Sequence, residues 1–131
     1  MSTLDVTNLK SKVALTPTKF YDKDDVEIGT LCRAWVNFNG IGTVAIRGSF
    51  NVSGVTRNST GNYTINFTNA MPDANYSVGG LSHSNGVHDG SYLNVLAVIE
   101  YATTSVRVRH RGSGPHGTVT DQEYVNVQVF R

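Results

Sequence analysis

The chain has 131 residues, with 11 basic and 10 acidic side chains and a net charge of +1. That length fits one domain of about 100–200 residues, and so even a balance gives bulk electrostatics no part in holding nucleic acid or a membrane surface. The 17 Val, 14 Thr, 6 Tyr and 5 Phe favour strands over helices, and the lone cysteine, Cys32, excludes an intrachain disulfide framework and a four-cysteine zinc site.

All four lysines lie within the first 23 residues and half of the acids within the first 30. Residues 1–30 therefore form a separate segment, with short apolar patches (Val13–Leu15, Phe20–Tyr21) around Pro17 and the acidic "DKDDVE". They read as an extended connector or attachment segment with one or two short strands. The opening "MSTLDVTNLK" lacks the hydrophobic centre of a signal peptide, and no apolar run reaches the roughly 20 residues that span a bilayer. Asn-x-Ser/Thr triplets occur, but chance supplies them in a chain this rich in Asn and Thr.

Strand signals begin at "CRAWVNFNG", where Cys32, Ala34, Val36 and Phe38 share one face and Trp35 takes the other. Asn39–Gly40 marks a turn, "TVAIRGSFNVSGVT" continues as an apolar run, and "NSTG" at 58–61 turns again. Tyr63, Ile65 and Phe67 alternate with polar residues, "AMPDA" invites a turn, and "NYSVGG" makes a short strand. A low-complexity loop, "SHSNGVHDGS" (82–91), precedes three further strands: "YLNVLAVIEYA" (92–102), "SVRVRHR" (105–111) and "YVNVQVFR" (124–131). Seven or eight short strands with regular turn signals predict an all-β fold over 31–131, an antiparallel, jelly-roll-like β-sandwich. Residues 92–102 are apolar at successive positions, including Leu96 and Val98. A strand apolar on both faces, like Trp35 opposite the Ala34–Phe38 face, points to burial against another subunit.

The search for chemistry returns little. His83, His88, His110 and His116 show no metal-ligand spacing, so no metal is assigned, although a metal shared on an oligomer axis stays open. No paired carboxylates or nucleophile–base set emerges, so no catalytic residue and no cofactor are assigned. Glu100, inside an apolar strand, is most simply explained by Arg107 or Arg109 on the next strand. "VRVRHR" places Arg107, Arg109 and Arg111 on one side of a strand. Such a stripe suits acidic groups of a glycan, but is more simply read as pairing with acids across strands and subunits and blunting a sheet edge. Three arginines are too few to support nucleic-acid binding.

The run from Cys32 to Val78 resembles a segment recurrent near the C-terminal end of tail-fibre and other receptor-binding proteins of tailed phages and prophages. The likeness is carried by Ala34 to Gly40, Gly42 to Arg47, Asn62 to Phe67, Ala70 to Tyr76 and the terminal "YVNVQVF" (124–130). The resemblance implies a β-rich, usually trimeric tip on a virion appendage, assembled in the host cytoplasm, without enzymatic activity or membrane insertion. It would contact a bacterial surface glycan or an outer-membrane protein. A capsid-decoration or head-fibre role is the structural alternative, and a glycan depolymerase the enzymatic one. Variable loops on a fixed scaffold carry binding in such designs. The expected receptor-binding residues are His83, Asn85, His88, Asp89 and Tyr92, joined by Arg111 and His116 if the loops converge. Trp35, Leu96 and Val98 are the expected subunit contacts.

Overall fold

The computed structural model describes residues 19–83, 94–112 and 119–131, and the chain divides into two compact units, Met1–Leu31 and Cys32–Arg131. In the first, β1 (Lys19–Tyr21) pairs antiparallel with β2 (Glu27–Thr30). The acidic run between them is the hairpin turn: Asp22 Oδ1 accepts hydrogen bonds from the amides of Asp24 and Val26, and Asp25 takes a positive φ of 59°. Asp tolerates that left-handed geometry because its short polar side chain bonds locally.

The second unit is a sandwich of two four-stranded antiparallel sheets. Its strands are β3 (Cys32–Asn39), β4 (Ala45–Phe50), β5 (Val52–Ser59), β6 (Asn62–Phe67), β7 (Ser77–His83), β8 (Asn94–Tyr101), β9 (Ser105–Gly112) and β10 (Tyr124–Phe130). One sheet runs β4-β3-β10-β7 and the other β5-β6-β9-β8. Hairpins β3–β4, β5–β6 and β8–β9 stay within a sheet, while the connections between them cross the core. The first and last strands of the unit lie side by side, with Val127 opposite Val36.

The two inner faces interdigitate along their period of two. Ala34, Val36, Phe38, Val125, Val127 and Val129 come from one sheet, and Tyr63, Ile65, Phe67, Val106 and Val108 from the other, all buried. Burying each side chain of this size stabilises by about 1.5–3 kcal/mol. Phe38 meets the Tyr63 ring edge-to-face across the sandwich, with centroids 5.1 Å apart. Leu96 and Val98, expected at a subunit contact, are partly buried and pack against this same core. β8 exposes the apolar side chains of Val95 and Ile99, together with Glu100 and Tyr101.

The run "TVAIRGSFNVSGVT" is not one strand. It is cut at Asn51, whose φ of 55° turns the backbone so that β4 and β5 enter different sheets. The Asn51 side chain fixes this corner: its Nδ2 donates to the carbonyls of Arg33 and Asn69, and its Oδ1 accepts the Asn69 amide at 2.7 Å. Hydrophobic alternation carries no signal for that break, which an amide side chain makes.

Candidate functional site

Of the expected receptor-contact residues, Asn85, His88, Asp89, Tyr92 and His116 lie outside the described residues. The structure places the other two. His83 ends β7 on the outer face of the first sheet, opposite Tyr124, with the two rings 6.3 Å apart. Arg111 is exposed on β9, on the outer face of the second sheet. The sandwich thus separates them on opposite faces.

A polar knot gathers around Asp121. Asp121, just before β10, accepts a side-on pair of hydrogen bonds from Arg57 of β5, with Nη2 at 2.7 Å and Nε at 3.0 Å from Oδ2. Its Oδ1 also takes the Gly61 amide at 2.8 Å and the Tyr63 hydroxyl at 2.7 Å. The Gly40 amide then bonds the Gln122 carbonyl at 2.8 Å, which draws in the β3–β4 turn. Glycine is required at 61 because φ is 63° and a Cβ would sit 2.8 Å from the Thr120 carbonyl oxygen. At Gly40 a Cβ would overlap the Tyr63 phenol.

Electrostatics follow this geometry. Burial would raise the Asp121 pKa, but hydrogen bonds from Arg57, the Gly61 amide and Tyr63, with the Arg57 charge, hold it below the usual carboxylate range. Burial and the neighbouring carboxylate push the Tyr63 phenol well above its ordinary value. His110, 1% exposed beneath the same corner, is held below the usual imidazole value by burial, which outweighs its bond to the Thr120 backbone. Among the described residues no three His, Cys, Asp or Glu side chains converge as a metal site would need.

The outer face of the β4-β3-β10-β7 sheet is the other notable surface. Trp35, 41% exposed, stands opposite Phe50 of β4 and Gln128 of β10. Its indole lies over Gly48, where a Cβ would come within 3.3 Å of the ring. One row along, Asn37 Nδ2 donates to Asn126 Oδ1, beside Leu81, whose side chain is exposed. At the end of the sheet the Arg47 guanidinium lies 4.2 Å from the centre of the Tyr124 ring and donates to the Glu123 carbonyl. Phe130 is exposed at the opposite end. Flat aromatic surface interleaved with amides can stack on and hydrogen-bond a partner, whether another protein face or a sugar ring. Trp35 was legible as an outward aromatic. Phe50, Tyr124, Asn37 and Asn126 join it only once strand order and register are known.

Comparison of the chain with protein-family models, with curated proteins and with solved structures returned no match.

Proposed function

We propose that the chain is a non-enzymatic attachment domain of a tailed-phage virion, a tail-fibre or receptor-binding tip that acts as a homotrimer on a bacterial surface glycan or protein. The observation that supports it best is the outer face of the β4-β3-β10-β7 sheet. Trp35, Phe50, Leu81, Tyr124 and Phe130 are all exposed there on one side of one sheet. Clustered apolar surface of this kind marks an interaction site, and a second and third copy of the chain would cover it. The likeness of residues 34–76 and 124–130 to virion receptor-binding proteins supports the same reading. The residues expected at the receptor are the loop set around His83, Asn85, His88, Asp89, Tyr92, Arg111 and His116.

Light scattering on the purified chain tests the assembly. The expected mass is three times that of the 14.2 kDa chain. A monomer at high concentration would remove the trimer. Binding of the labelled chain to a panel of bacterial envelopes tests attachment, and immunogold labelling of virions separates a tail tip from a head decoration. Absence of envelope binding, or gold on the head alone, would overturn the receptor-binding role.

A further inference from the structure

The outer face of the β5-β6-β9-β8 sheet has a different chemistry. Arg107, Arg109 and Arg111 alternate along β9 and point away from the core. Alternate positions on a strand stand about 7 Å apart, so the three guanidinium groups span a length that meets more than one charge of a repeating polymer. On β6 the outward positions beside them are Thr64 and Asn66, with Thr56 across from Thr64 on β5, while Asn62 is buried and bonded to Arg107. Amides and hydroxyls of this kind hydrogen-bond the uncharged parts of a sugar chain.

Among the described residues, internal pairing uses one of the three cations. Arg107 Nε donates to Asn62 Oδ1 at 2.9 Å, and its Nη1 lies 3.7 Å from Glu100, in a pair whose side chains are 36% and 62% exposed. Arg109 and Arg111 have no carboxylate or amide partner among the described residues, and Arg109 Nε is shielded from solvent without an acceptor. Arg109 stands between Asn62 on β6 and Ala97 on β8 and is partly buried. Glu100 is the one acid on this face among the described residues, so the face carries a surplus of positive charge. An acid-paired structural stripe does not explain that surplus.

We infer that this face binds the carboxylate or phosphate groups of an acidic glycan, with Arg109 and Arg111 as the anion contacts. The inference rests on the attachment reading and adds to it the chemical class of the receptor. Planar guanidinium forks match both anions bidentately, and the Asn and Thr side chains alongside favour a hydroxyl-rich chain over a bare ion.

The test uses the full chain on four immobilised polymers: polygalacturonate, poly(glycerol phosphate), neutral dextran and a single-stranded oligonucleotide. Retention on one or both acidic glycans, weakened by salt and absent on dextran, is expected. Binding to polygalacturonate alone or to poly(glycerol phosphate) alone identifies the acidic group. The R109Q/R111Q double variant should weaken that binding by at least about ten-fold, because charge-assisted hydrogen bonds are lost. Its mass and thermal midpoint should not change. R111E, at an exposed position, gives the same reading should the double variant fold poorly. Equal retention on dextran, tighter binding to the oligonucleotide, unchanged affinity in the variants, or loss of the oligomer in them would each overturn the inference. Wild-type protein that binds no envelope defeats the attachment reading first; envelope binding that survives R109Q/R111Q defeats this inference alone.

Discussion

The two sheets of the sandwich look alike from inside and unlike from outside. Their inner faces carry Val, Phe and Ala on one side and Tyr, Ile, Phe and Val on the other, because one dry core makes the same demand of both. Outside, the first sheet shows Trp35, Phe50, Tyr124 and Phe130 among amides, whereas the second shows arginines beside Asn and Thr, with the exposed Val95 and Ile99 of β8. Nothing in the core requires that contrast. Outward positions are free of packing demands within the chain, and on the proposed reading the difference reflects what each face would meet, apolar surface of another copy on one side and anions on the other.

The contrast presumes that the interior is shared equally, and substitutions there should have the largest effects. Phe38→Ala should cost about 3–5 kcal/mol and Ile65→Ala about 2–5 kcal/mol, one from each sheet, both fully buried. Urea unfolding measures them. A near-silent result at either position would mean that its sheet is not covered by the other.

The polar knot comes next. Asp121→Asn keeps the shape but removes the charge that Arg57 holds side-on, and should cost about 2 kcal/mol. It also carries a pH signature. The folded-state pKa of Asp121 lies below its unfolded value, so its contribution is fully present above the ordinary carboxylate pKa of about 3.9. It is lost as pH falls through the folded value, and Asp121→Asn should flatten that acid limb of the stability curve. His110 acts earlier. Its folded pKa is also lowered, so the unfolded chain takes up a proton first, and stability should begin to fall as pH drops below about 6.5. His110→Gln should remove that first limb, and unfolding midpoints between pH 8 and pH 5 check it.

How far the sequence foretold this molecule depended on the range of each interaction. Alternation at Ala34, Val36 and Phe38, or at Tyr63, Ile65 and Phe67, is local, and it yielded both the strands and the inward faces. The two-sided apolar run of β8 is there in the fold, with Leu96 and Val98 packed toward the core and Val95 and Ile99 exposed, while Glu100 stands opposite Arg107 across a bulge. The Asn51 corner and the Asp121 knot, by contrast, were illegible. Asp121 meets Tyr63 across 58 positions of sequence, through a carboxylate that looks like any turn acid. Trp35 announced an unusual outer face, yet its neighbours Phe50 and Tyr124 come from strands whose order only the fold supplies.

The smallest effects on the fold should come from the outer faces, and there stability and assembly ought to separate. Trp35→Ala should cost the folded chain about 1 kcal/mol or less, since the indole is partly exposed, while converting trimers to monomers in light scattering. Arg109→Gln should stay within about 0.5 kcal/mol of wild type and leave the mass untouched. If Trp35→Ala left the trimer whole and Arg109→Gln split it, the assignments of the two faces would have to be exchanged. Guanidinium groups would then be pairing with carboxylates of a neighbouring copy, and the aromatic face, open to solvent in the assembly, would be the one left to stack on a sugar.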